Sequence, residues 1–190
     1  MNELLKFIKI VKAPLANATV AELLKYLDSQ KEFRPATTIG DGDNNSSNKG
    51  GQIRKVSEHG FRKYHQSMTH VHWHNLLCHT IMGEAENYRV QQKEMSAMKM
   101  THLSALKYEK SDHYVFHVDH CVDIPRTLSV IYLLNNDYKG GNLVFDLGGE
   151  HVKIEKTPNT MILWPSNHLY PHKVEPVTEG VRYSLVSWLL

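Results

Sequence analysis

Residues 108 to 119 read Tyr108-Glu-Lys-Ser-Asp-His-Tyr-Val-Phe-His117-Val118-Asp119. If 113–118 form a strand, His117 and Asp119 are two residues apart and their side chains leave the same face. An imidazole and a carboxylate side by side, joined by one more histidine, make a 2-His-1-carboxylate set that leaves three positions on a ferrous ion for substrate and dioxygen. His172 is the candidate third ligand and His168 is its rival. In a chain with 13 histidines a bare His-x-Asp triplet is weak evidence, and the sequence behind His172 is what strengthens it. There, His172-Lys-Val-Glu-Pro-Val-Thr-Glu-Gly-Val-Arg182-Tyr-Ser-Leu-Val-Ser-Trp188 reads as two strand-like runs about a turn at Thr178 and Gly180. A hairpin of this kind carries Arg182 back toward the metal, where its planar guanidinium can grip a carboxylate bidentately.

The combination of His117-x-Asp119, His172 and Arg182 with the block Arg126-x-x-Ser129 … Gly140-Gly141-Asn-Leu-Val-Phe145 resembles the prolyl 4-hydroxylase-like branch of the iron(II)/2-oxoglutarate dioxygenases. The likeness is close from residue 98 to 190 and loose before. It implies iron(II) held by His117, Asp119 and His172, with 2-oxoglutarate as cosubstrate, dioxygen as oxidant and ascorbate as reductant. Arg182 would pair with the far carboxylate of 2-oxoglutarate, aided by Tyr108, which stands nine residues before His117 as in the family motif. Arg126 falls where the family has an arginine near the substrate, and Trp188 is expected to wall the pocket near the metal. Ser111 stands where the family usually has glycine. The implied reaction hydroxylates a C–H, of a prolyl residue in a protein or peptide, with release of succinate and carbon dioxide. A free amino acid or another small molecule is the nearest rival substrate. The second arginine that nucleic-acid demethylases of the superfamily carry shortly after the first is missing behind Arg182, so no nucleic-acid partner is expected. A non-catalytic jelly-roll metal-binding module is the alternative from another class, and it predicts loss of a ligand or of the carboxylate anchor.

These side chains need a rigid frame. From Met98 onward short apolar or alternating runs fall at 101–109, 113–118, 127–134, 142–145, 151–155, 160–165, 171–175 and 182–189, a texture of antiparallel strands in a sandwich or barrel. The resemblance sharpens this to a double-stranded β-helix, or jelly roll: a mainly β fold with flanking helices. Gly140 and Gly141 supply positive φ before a strand, and Asn159 sits at a turn where a left-handed residue is common. In the first half, Thr19-Val-Ala-Glu22 is a capping box with an apolar stripe at Val20, Leu23, Leu24 and Leu27 behind it. Trp73, Leu76, Leu77 and Ile81 repeat at helical spacing and predict a second helix. His70 and His74 share a face of it, a spacing that can bind zinc, but no HExxH glutamate accompanies them, and they read as partly exposed histidines on the polar flank. Residues 35–52 have little to bury and form a mobile loop, with 35–67 a candidate cover for the site. Asp41-x-Asp43-x-Asn45 invites a calcium-loop reading, but Ser46 and Gln52 occupy the places that need glycine and glutamate.

At 190 residues and 41% hydrophobic the chain suits one domain, with 1–97 as helical support and mobile loop and 98–190 as the catalytic β-core. A net charge of +2 leaves no electrostatic footprint for nucleic acid. The apolar start is interrupted by Lys6, Lys9 and Lys12, so a soluble protein, cytoplasmic or otherwise intracellular and without membrane contact, is expected. Cys78 and Cys121 lack CxxC spacing and fit a reducing compartment without a disulfide.

Overall fold

β-branched and aromatic residues that must bury both faces settle into strands packed on both sides, and the runs at 128–133, 160–165 and 182–189 do so. The computed structural model describes residues 2–37, 51–92, 95–96 and 98–190. The first half supplies β1 (Lys9–Lys12), α1 (Asn17–Ser29), β2 (Arg34–Pro35), β3 (Arg54–Lys55), β4 (Ser57–Gly60) and α2 (Met68–Gln91). The second half supplies β5 (Met100–Tyr108), β6 (His113–His117), β7 (Leu128–Leu133), β8 (Lys139–Gly140) and β9 (Leu143–Leu147). It closes with β10 (Glu150–Lys153), β11 (Thr160–Pro165), β12 (His172–Val174), β13 (Val177–Glu179) and β14 (Arg182–Leu189).

The strands form a seven-stranded sheet, β1-β11-β7-β14-β5-β4-β2, and a five-stranded sheet, β10-β9-β12-β6-β3, with β13 paired to β8 beside them. Leu106, Tyr108, Ile131, Phe145, Trp164 and Val186 fill the space between the two sheets. Their sequence neighbours Ala105, Tyr132, Leu163 and Leu185 point to the opposite face of the large sheet, where Leu23, Leu27, Leu77 and Ile81 of the helices cover them. Strand alternation thus sorts adjacent residues into two cores, each buried leucine contributing about 1.5–3 kcal/mol. This is the expected double-stranded β-helix with helices on one sheet. Among the described residues no helix is long and apolar enough to cross a membrane.

Several expectations need correction. The first half is not only helical, because four of its strands extend the two sheets. The runs at 172–174 and 182–189 are not partners in a hairpin: β12 lies in the small sheet and β14 in the large one, and the segment between them pairs with β8. The helix α1 starts at Asn17, with Ala16 as its cap and no side-chain capping bond, so Thr19 lies inside it. Its start is set from outside, since Asn159 donates through Nδ2 to the Leu15 carbonyl and to Asn17 Oδ1. Asn159 itself adopts φ 53°, and Gly140 and Gly141 adopt φ 68° and 59°, as their turns require. Ser111, standing for the family's glycine, keeps the left-handed turn at φ 73°. The Asp41-x-Asp43-x-Asn45 stretch lies outside the described residues, as does most of the 35–52 loop.

Candidate active site

β6 ends on His117 and β12 begins on His172, and the two are register partners across an antiparallel pair, so their rings lie 4.3 Å apart between centroids. Asp119 is two residues beyond the end of β6 rather than on it. It still turns inward, with Oδ1 3.7 Å from His117 Nε2 and Oδ2 3.5 Å from His172 Nε2. The three ligand atoms lie within 4.8 Å of one another, and no other group of three or more His, Cys, Asp or Glu does so among the described residues. His168 is exposed and outside the cluster.

Each partner in the cluster is oriented from behind. His117 Nδ1 donates to the Val115 carbonyl at 2.9 Å and His172 Nδ1 to the Tyr170 carbonyl at 3.1 Å, which leaves both Nε2 lone pairs facing Asp119. Ser129 Oγ donates to Asp119 Oδ2 at 2.6 Å and contacts Ser166 Oγ at 2.7 Å. Burial, followed by the neighbouring His172, pushes His117 down to about 3, so its imidazole is neutral at physiological pH. Burial works against the Asp119 carboxylate, but His172 and His117 outweigh it and hold the group below its ordinary pKa. Two imidazole Nε2 atoms and one carboxylate, held within 4.8 Å of one another, are the donor set that suits iron(II).

Tyr108 and Arg182 are also register partners, on β5 and β14. Arg182 has no solvent exposure, and its guanidinium carbon sits 4.8 Å over the Tyr108 ring. Nη1 donates to Ser184 Oγ at 2.8 Å and the Tyr138 phenol sits against the guanidinium, while Nε and Nη2 are buried without a close acceptor. No carboxylate pairs with Arg182 among the described residues. Burial raises the Tyr108 phenol, which is within electrostatic reach of both Arg182 and Asp119 and so bridges the two halves of the site. Gly141 makes room here, since a Cβ on it would come within 2.9 Å of Val177 Cγ2 and 3.1 Å of Arg182 Cδ.

Beside the triad a cavity of about 290 Å³ is lined by Asp119, Tyr114, Val118, Arg126 and Trp188. Arg126 lies flat on Trp188, 3.7 Å from its ring centre, and donates to the Asp119 carbonyl at 3.2 Å. The structure thus brings His117, Asp119 and His172 together, pairs Tyr108 with Arg182, and stacks Arg126 on Trp188. Sequence reasoning missed Tyr114, stacked on His117 at 3.5 Å, and Tyr138, whose buried phenol sits against Arg182. It used Ser129 only as part of the Arg126-x-x-Ser129 block, because a bond across ten residues of chain leaves no trace in spacing.

Residues 103–190 match the family model described as the 2OG-Fe(II) oxygenase superfamily. About half of the chain also aligns with PKHD-type hydroxylases. One from Janthinobacterium sp. (strain Marseille) is 41% identical over 107 residues, covering 50% of this chain and 46% of that protein. One from Alteromonas mediterranea is 34% identical over 93 residues, covering 44% and 40%. The chain spans about half the length of the curated relatives it matches. In fold it is similar to the prolyl hydroxylase of Trichoplax adhaerens in complex with a hypoxia inducible factor peptide fragment. That likeness has a TM-score of 0.77 at 18% identity and covers 97% of this chain and 83% of the other. A Pseudomonas putida prolyl-4-hydroxylase superposes with a TM-score of 0.67 at 18% identity, covering 96% and 91%.

Proposed function

We propose that this protein is an iron(II)- and 2-oxoglutarate-dependent dioxygenase that hydroxylates a prolyl residue in a protein or peptide. The observation that carries the reading is Arg182, a guanidinium without solvent exposure, without a carboxylate partner among the described residues, and with two nitrogens lacking a close acceptor. Each unmet buried donor costs about 1–3 kcal/mol, more for a charged group, and a dicarboxylate cosubstrate reaching in from the metal removes that cost. When bound, iron(II) and 2-oxoglutarate supply dioxygen activation and C–H hydroxylation, with release of succinate and carbon dioxide.

The chain's own residues bind, orient and exclude water. His117, Asp119 and His172 hold the metal, the histidines in a fixed tautomer and the carboxylate braced by Ser129. Arg182 and Tyr108 fix the far end of the cosubstrate, which sets its reactive end. Trp188 and Arg126 form the wall against which the target C–H lies, and Tyr114 backs His117. The prolyl assignment rests on the family resemblance and on the likeness to PKHD-type and prolyl hydroxylases, one of them solved with a peptide.

The test is succinate release from 2-oxoglutarate under air with iron(II) and ascorbate, comparing no substrate with a proline-rich peptide. Turnover stimulated by the peptide and abolished in His172→Ala is the expected result. Basal turnover that the peptide leaves unchanged would move the substrate to a free amino acid or other small molecule. No turnover and no 2-oxoglutarate binding would overturn the assignment and leave a metal-binding module.

A further inference from the structure

Histidine and cysteine four residues apart on a helix share one face, and α2 carries such a pair, His74 and Cys78, toward the start of β5. Cys78 Sγ lies 3.5 Å from His74 Nε2 and 3.6 Å from Met100 Sδ. Both ring nitrogens of His74 lie near the Cys78 sulfur, Nδ1 at 4.0 Å as well as Nε2, so the thiol sits beside the ring edge, and Nδ1 is also 3.1 Å from Asn75 Oδ1. All three side chains are partly buried and line one cavity of about 790 Å³, so the cluster is open to a small ion.

We propose that His74, Cys78 and Met100 form a second metal site, specific for a soft monovalent cation of the cuprous kind. The separation fits: a metal ~2.3 Å from sulfur and ~2.0 Å from nitrogen, at a tetrahedral angle, sets those donors about 3.5 Å apart, and a turn of the His74 ring aims Nε2 at that point. So does the chemistry, because a thioether beside a thiolate favours Cu(I), whereas the carboxylate-bearing triad suits iron. One thiolate neutralises one Cu(I), so a partly buried site holds no net charge.

Two neighbouring facts set the site apart from the zinc pair considered from the sequence. His70 is 1% exposed rather than on a polar flank, and both its nitrogens are engaged, Nδ1 with the Tyr26 hydroxyl at 3.0 Å and Nε2 accepting from the Arg62 N–H at 2.9 Å. His74 therefore pairs with Cys78 and not with His70. Burial raises the Cys78 thiol, so a metal must displace its proton on binding. β5 runs on from Met100 to His102, whose ring rests on Trp188 with 4.8 Å between centroids, so the soft site and the oxygenase pocket share a strand.

The experiment is an anaerobic competition titration of Cu(I) between the reduced full chain and a chromophoric Cu(I) chelator, in a His172→Ala background that removes the first site. One Cu(I) per chain is expected. Cys78→Ser should weaken binding by at least about a hundredfold and Met100→Leu by about tenfold, the latter conserving volume so that the chain still folds. X-ray absorption of the loaded protein should show sulfur at ~2.3 Å from copper. Failure to compete for Cu(I), or copper retained equally by Cys78→Ser, would overturn the proposal.

Discussion

A buried guanidinium without an acid beside it is the least economical residue in this fold, and Arg182 is tolerated through weak neighbours. These are the Tyr108 face at 4.8 Å, the Ser184 hydroxyl at 2.8 Å and the space left by Gly141. None of these balances the cost of removing a charge from water. Exchanging such a group for an apolar side chain of similar volume is often neutral or stabilising, by about 1–4 kcal/mol. Arg182→Met is therefore expected to leave the melting temperature unchanged or to raise it, by about 2–4 °C per kcal/mol gained. The same change should abolish the rise in melting temperature that 2-oxoglutarate with Mn(II) gives the unaltered protein. Thermal unfolding with and without cosubstrate measures both. A strongly destabilised variant that still responds to 2-oxoglutarate would mean that Arg182 serves the fold and not the ligand.

Between elements, the most informative contact is His70, which ties α2 to α1 through Tyr26 and to the preceding loop through the Arg62 N–H. Burial, with the nearby His65, pushes its pKa down to about 4 from an unfolded value near 6.5, so the folded protein keeps it neutral. Below 6.5 the unfolded chain takes up a proton that the folded chain refuses, so stability is lost as the pH falls from 6.5 toward 4. It is retained above 6.5. Denaturant titrations across that range should show a decline of up to about 1.4 kcal/mol per pH unit for this proton. His70→Gln should make the slope shallower, with the remainder carried by other buried histidines such as His102, which burial also lowers to about 4. An unchanged slope would exclude His70 as a source. Element existence was legible where the period was long, as in α2 and β5, and so was the clustering of His117, Asp119 and His172, because each is tied to local signals. Illegible were the features set by partners distant in sequence. The start of α1 depends on Asn159, the burial of His70 depends on Tyr26, and the apolar runs at 172–174 and 182–189 do not reveal which sheet each joins.

Across the whole molecule, the N-terminal segment reaches the metal triad by a short chain of contacts. β1 covers the β11 edge of the large sheet, pairing Lys9 with Leu163 through Lys12 with Thr160. Just before it, the Leu4 carbonyl accepts from the Tyr170 hydroxyl at 3.2 Å and the Phe7 carbonyl from the Tyr88 hydroxyl at 2.9 Å. The Tyr170 carbonyl is in turn the acceptor that orients His172 Nδ1. Removing residues 2–12 would therefore do two separable things. It would uncover β11 as a buried-type strand with unpaired backbone groups, an invitation to edge pairing between molecules. It would also free the Tyr170 side chain and loosen the carbonyl that orients the His172 ring, a kind of change that costs about 10–100-fold in metal affinity. The expected outcome is a lower melting temperature with self-association in size-exclusion chromatography, together with weaker Mn(II) binding by calorimetry. Tyr170→Phe separates the two effects: it keeps the edge covered and the ring buried, so it should remain unassociated and lose metal affinity only modestly. If the truncated chain binds Mn(II) as tightly as the full one, the Leu4–Tyr170–His172 connection carries no functional load, and the segment's role is confined to closing the sheet.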